Sequence, residues 1–363
     1  MDETVRDTSP AGLPEPPEVP SAARADSHEG STPAAEGNSG APAPSGEAAG
    51  PAPGEKPGNI SRSLKLRLLS AAVIVPTVIG LILWGGIPFL LAVIAIIVIA
   101  LREFYEIIEL KGLRPQRLPG LIGATLLAIV TFLGNEYQTN VLLTAVFLVV
   151  MILQLLKQDV AEAIGSISAT FFGVFYVGWL MAHAILIRRM DEVLRTKYEP
   201  LTEGPFWIGS VYVNEYLGLF LLLFCICCVA GGDIGAYFVG RRFGRTKLAP
   251  RVSPNKTVEG AIGGVATGVI FGLVAWTIFR IWVFRREVLP VGQALLLGVV
   301  LAGIGILGDL AESLIKRDAH AKDAGTLIPG MGGMLDRIDS NMVAFPVLYY
   351  YMNAWFFLKS LGG

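Results

Sequence analysis

GQALLLGVVLAGIGIL, residues 292–307, carries no Asp, Glu, Lys or Arg, and after Gly308 it runs straight into DLAESLIKRDAHAKDAGTLIPGMGGMLDRID, residues 309–339. A second apolar run, residues 342–358, follows. A membrane-length segment that ends in such dense charge needs a physical reason. If the helix continues from Gly308, a turn of about 100° per residue puts Asp309, Glu312, Ser313 and Lys316 on one face. Asp336 and Asp339, three apart, share a face if their segment is helical. Carboxylates gathered this way repel one another and resist desolvation unless cations compensate them. The candidates are Lys316, Arg317, Lys322, Arg337 and a divalent metal. An ordinary polar loop capping two membrane helices is the plain alternative for this stretch taken alone.

Working outward, 363 residues would suit two or three soluble domains. The composition excludes that organisation. Hydrophobic residues make up 53% and charged ones 16%, with a mean hydropathy of +0.58. That is too little charge to cover a soluble surface, and the apolar residues are concentrated in membrane-length runs. The expected fold class is an all-α polytopic integral membrane protein behind a disordered N-terminal tail. Cys225, Cys227 and Cys228 lie in one apolar run with no histidine nearby, so they read as small helix residues and not as a zinc site. The N-terminus lacks a basic start followed by an apolar core, so no secretory signal is expected.

Residues 1–60 are rich in Pro, Ala, Gly, Ser and Glu and hold ten acids against Arg6, Arg24 and Lys56. Such a segment cannot bury enough apolar area to offset its ordering entropy, which predicts a disordered acidic tail. Leu68–Ala100 is too long for one span of roughly 20 residues; Gly85-Gly86-Ile87-Pro88 offers a turn that divides it in two. Further spans are expected at 119–134, 139–156, 165–187, 216–240, 259–283, 292–315 and 340–358, about nine in all. Residues 188–215 read as a longer loop of mixed charge. The organisation is then a tail (1–60), N-terminal membrane helices (61–215) and a C-terminal catalytic region (216–363). Lys and Arg placement puts the N-terminus and the loops 241–257 and 316–338 on the cytoplasmic side. Gly260, Gly264, Gly268 and Gly272 form one stripe on a helix face, suited to close helix packing within the chain or in a dimer.

A second polar island, DIGAYFVGRRFGRTKLAPRVSPNKTVEG, spans residues 233–260. Asp233 falls inside the sixth expected span, where an ionisable residue is expensive and is by default a functional candidate. Arg241, Arg242, Arg245, Lys247, Arg251 and Lys256 follow, interleaved with Gly and Pro. Guanidinium forks, ammonium groups and exposed backbone N–H groups suit polyanionic phosphate. A basic, hydroxyl-rich island and a carboxylate-rich one form the parts list for metal-assisted nucleotidyl or phosphoryl transfer. No P-loop or dinucleotide fingerprint is present, so a soluble nucleotide-binding fold is not indicated.

These residues also carry a resemblance. S-x-x-K-R, K-D, a glycine turn and D-R-x-D stand at Ser313–Arg317, Lys322-Asp323, Pro329–Gly333 and Asp336–Asp339. D-x-x-A-Y-x-x-G-[KR]-x-F-G and S-P-x-K-T-x-E-G stand at Asp233–Gly244 and Ser253–Gly260. Together they resemble the phosphatidate cytidylyltransferase (CDP-diacylglycerol synthase) family. The resemblance implies that CTP and phosphatidate react to give CDP-diacylglycerol and pyrophosphate at the cytoplasmic face of a bacterial-type inner membrane. It also implies a homodimer, and no nucleic-acid partner is expected. Carried over residue by residue, Asp309 and Asp336 are the metal ligands of a two-cation site, Mg²⁺ with a second cation, divalent or monovalent. Asp339, Asp323, Glu312 and Asp233 are additional carboxylates. Lys316, Arg317, Lys322 and Arg337 would hold phosphates, while Ser253, Lys256, Glu259, Arg241 and Ser313 complete the nucleotide side. Met331 stands where the family has histidine, and a thioether neither shuttles protons nor ligates Mg²⁺; nearby His320 reads as a solvated loop residue. A CTP-dependent lipid kinase and a secondary transporter are the alternative readings.

Overall fold

The computed structural model describes residues 57–361, apart from 135, 158–161, 200–203, 210, 285–288, 323 and 326–331. The expected tail lies outside the described residues except for its last four, and Asp323 and Met331 lie outside as well. The last four move the tail's boundary, because α1 (Pro57–Trp84) begins with them. Proline suits a first helical turn, where its missing N–H would have had no helical partner.

Apolar runs of this length satisfy their backbone without water by hydrogen bonding along the helix. After α1 come α2 (Gly86–Leu110), α3 (Arg117–Leu133) and α4 (Glu136–Leu155). The next segment joins α5 (Ala163–Gly173), a π-helical turn (Val174–Trp179) and α6 (Leu180–Arg188). The break between α1 and α2 falls at Gly85 and Gly86, whose φ of 68° and 54° suit residues without a Cβ. The stretch 188–215 is not the plain loop expected. It forms α7 (Met190–Tyr198) and an antiparallel hairpin of β1 (Phe206–Ile208) and β2 (Val211–Val213).

The C-terminal part continues with α8 (Leu217–Phe243), a second hairpin of β3 (Lys247–Ala249) and β4 (Ser253–Thr257), and α9 (Val258–Ile278) with a π-helical turn (Phe279–Phe284). It ends with α10 (Val291–Asp318) and α11 (Leu335–Leu361). Among the described residues, six helical segments are long and apolar enough to cross a membrane: 86–110, 137–155, 163–188, 217–243, 258–284 and 291–318. Ala72–Trp84 and Arg117–Leu133 are apolar but shorter. The chain is an all-α membrane protein.

α8 is the hub, packed against α6, α9, α10 and α11 and burying Leu217, Leu221, Phe224 and Cys228. The glycine stripe of α9 makes this packing close. A Cβ at Gly264 would lie 2.8 Å from the Gly232 carbonyl oxygen, and one at Gly268 would lie 2.6 Å from that of Cys228. Of the two readings of the stripe, packing within the chain is the one the fold uses. The cysteines are free thiols in α8, with Cys228 lying against the stripe at Gly272, as small helix residues should.

Candidate active site

α10 runs unbroken through Asp318, so Asp309, Glu312, Ser313 and Lys316 do share a face. α11 begins at Leu335 and carries Asp336 and Asp339 in its first turns. Gly308 lets the two helices meet: a Cβ there would lie 2.7 Å from the Asp339 carbonyl oxygen. As a result Asp309, Glu312 and Asp339 each bring a carboxylate oxygen within 4.8 Å of the others. Glu312 is only 1% exposed.

The cations in this network come from the same two polar islands. Lys316 Nζ lies 2.6 Å from Glu312 Oε2 and 2.6 Å from Asp336 Oδ1, bridging α10 to α11. Lys256 Nζ lies 2.6 Å from Asp309 Oδ2, and Ser313 Oγ donates to Asp309 Oδ1 at 3.4 Å. Asp336 also accepts the N–H groups of Ala324 (3.1 Å) and Gly333 (3.0 Å). Burial works against its charge, but Lys316 and the Gly333 N–H outweigh burial and hold the carboxyl below its usual range. Glu312 Oε1 is buried with no hydrogen-bond partner among the described residues. An orphaned acceptor of this kind costs about 1–3 kcal/mol. Three converging carboxylates with one oxygen left over fit a hard divalent cation, which takes oxygen ligands. Asp336, expected beside Asp309 as a ligand, lies one turn before Asp339 and outside this trio.

The basic island reaches the same place. A cleft of about 480 Å³ is lined by Asp233, Tyr237, Arg241, Lys256, Ile306 and Asp309, among others. Arg241 Nη1 donates to the Tyr237 hydroxyl at 3.0 Å. Thr257 caps α9 by accepting the Gly260 N–H at 3.1 Å. Glu259 accepts the N–H groups of Arg245 (3.0 Å) and Thr246 (3.2 Å), so its carboxylate fixes the start of the hairpin. Ser253 opens β4 outside the cleft lining. Arg317 Nε donates to the Val252 carbonyl at 3.4 Å, tying α10 to the hairpin. Lys322 and Arg337 are exposed, as is His320, which closes α10 in a left-handed conformation at φ 55°.

Sequence reasoning missed Glu103. This α2 residue is 7% exposed and accepts the N–H groups of Met334 (3.0 Å) and Leu335 (2.8 Å), capping α11 across 231 and 232 residues of chain. Added Cβ atoms at Gly325 and Gly333 would each lie 2.7 Å from its oxygens, so the turn before α11 is wrapped around this carboxylate. A carboxylate inside the run LREFYEII (101–108) was the available signal. An ion pair between Lys111 and Asp318 ties the ends of α2 and α10 together as well.

Known proteins are similar to this sequence over most of its length. Proteins named phosphatidate cytidylyltransferase match it from Brucella suis (36% identical over 80% of this chain and 93% of theirs) and Haemophilus influenzae (35%, 79% and 98%). One from Synechocystis sp. is 32% identical over 79% of this chain and 95% of its own. The pattern of the Cytidylyltransferase family matches residues 65–355, a stretch that holds the carboxylate trio, Lys316 and the hairpin, and this chain belongs to that family.

Proposed function

We propose that this chain transfers the cytidylyl group of CTP to phosphatidate, giving CDP-diacylglycerol and pyrophosphate, at the cytoplasmic face of a bacterial-type inner membrane. One observation carries the reading: Lys256 pairs with Asp309, so the phosphate-binding island touches the carboxylate island beside a cleft. The family and the names of the relatives point to the same chemistry. All nine expected spans would cross the bilayer, with residues 61–215 as scaffold and 216–363 holding the site.

In this reaction a phosphatidate oxygen attacks the α-phosphorus of CTP, and the bond from that phosphorus to the β-phosphate oxygen breaks. The nucleophile is already ionised at neutral pH, so the main barrier is repulsion between anions, and cations must supply the stabilisation. Asp309, Glu312 and Asp339 would hold Mg²⁺, which neutralises phosphate charge when bound. Lys256 and Lys316 are poised to exchange carboxylate partners for phosphate oxygens. Release of Lys316 frees Asp336, which would complete the cation site or hold a second cation. Arg241 lines the nucleotide side of the cleft with Asp233, Arg317 and Ser313 brace the site, and exposed Lys322 and Arg337 meet phosphates at its mouth.

The test supplies the purified protein with phosphatidate vesicles and CTP labelled on the α-phosphate. Label in the lipid with release of pyrophosphate is expected. Label remaining in CDP, with γ-phosphate moved to the lipid, would replace this reading with a kinase.

A further inference from the structure

The cleft of about 480 Å³ beside the trio is charged at two places and uncharged between them. Asp233, Lys256 and Asp309 hold one place, where Lys256 Nζ meets Asp309 Oδ2 at 2.6 Å. Arg241 holds the other, just over two turns after Asp233 on α8 and about 12 Å further along the helix axis. The wall between them includes Ala236, Gly240, Gly260 and Ala261, where α8 and α9 run close together. A Cβ at Gly260 would lie 2.9 Å from the Ala236 carbonyl oxygen, so this wall is kept to backbone and small side chains. Among the described residues Arg241 has no carboxylate partner. Its Nη1 donates to the Tyr237 hydroxyl at 3.0 Å, which steadies the guanidinium and leaves its other N–H groups to a ligand. A triphosphate carries charge along its whole length and would need a cation at each step. The uncharged wall suits a ribose and a flat base instead. With the phosphates held at Lys256 and the trio, Arg241 stands at the end of the cleft left to the base.

We propose that Arg241 determines which base the site accepts, donating to the two adjacent acceptors of cytosine, N3 and O2. This rests on the function proposed above and assigns the far end of the same cleft. Arginine and lysine carry donors only, and both read paired acceptors on a base edge. Uracil keeps the O2 acceptor but turns N3 into an N–H donor, which opposes a guanidinium. The contact that holds CTP therefore disfavours UTP.

Arg241→Met and Arg241→Lys test this in the α-labelled CTP assay, with unlabelled UTP added as a competitor. The parent should bind CTP more tightly than UTP. Arg241→Met should raise the KM for CTP by about 10- to 100-fold, with kcat and the inhibition constant of UTP each within about threefold of the parent. Arg241→Lys keeps a donor and should retain most of the preference. Residue 241 is exposed, so both variants should melt as the parent does. An equal weakening of CTP and UTP in Arg241→Met assigns the residue to the phosphates and overturns this inference alone. A preference for CTP that survives Arg241→Met, or a parent that never discriminates, overturns it too. A parent that labels no lipid defeats the proposed function, and this inference with it.

Discussion

The two ends of α8 are both charged, and they differ in how the charge is paired. A helix of 27 residues is about 40 Å long, so these ends lie far apart. At its start, Arg188, Asp191, Glu192 and Glu215 line a cavity of about 350 Å³. There the partners are close in sequence or are backbone: Arg189 Nε bonds Glu192 at 2.8 Å, three residues on, and Arg188 Nε bonds the Ile82 carbonyl at 2.8 Å. At its other end, carboxylates from α10 and α11 converge, lysines bridge between helices, and Glu312 keeps one oxygen unpaired among the described residues. Charge content alone does not mark a site in a membrane protein. Charged side chains from distant segments paired with one another do.

The sharpest way to break this contrast is Asp309→Asn. Turnover should fall by about 10²–10³-fold or more, with membrane insertion and melting temperature kept, as read by lipid labelling and a thermal melt. Lys316→Met should act first on stability, because it leaves Glu312 and Asp336 buried without their cation. Losing one partner of a buried pair costs about 3–5 kcal/mol, and part of that loss should return with saturating Mg²⁺ in a denaturation titration. Glu103→Gln weakens the cap on α11 while keeping its shape; a loss of about 1 kcal/mol is expected, with a raised KM for CTP because the trio's α11 member is less firmly placed. At the opposite end Glu192→Gln should change stability by less than about 1 kcal/mol and leave turnover alone. A large loss of turnover in Glu192→Gln would erase the distinction between the ends.

Much of this site follows from local periodicity, and the rest from contacts that no window of sequence contains. The shared face of Asp309, Glu312 and Lys316 follows from 3.6 residues per turn, and the glycine stripe from its four-residue spacing. The joining of α10 to α11 at Gly308, and Glu103 capping a helix more than 200 residues away, depend on tertiary packing. Asp336 and Asp339 looked equivalent by spacing; only the fold hands one to Lys316 and the other to the trio. The hairpin β1–β2 was readable, since FWI and VYV flank Gly209-Ser210, a turn pair between β-forming runs. Its mixed-charge surroundings hid it. The span count was less legible because α3 is short and α11 carries Asn341, Pro346 and Asn353 among its apolar residues.

The central claim is that Asp309, Glu312 and Asp339 form one cation site. Titrating the purified protein with Mn²⁺, read by electron paramagnetic resonance, tests it without any turnover. One saturable site is expected in the parent, its affinity weakened at least about tenfold in Asp309→Asn and in Glu312→Gln and unchanged in Glu192→Gln. Parent-like Mn²⁺ affinity in both trio variants would contradict it.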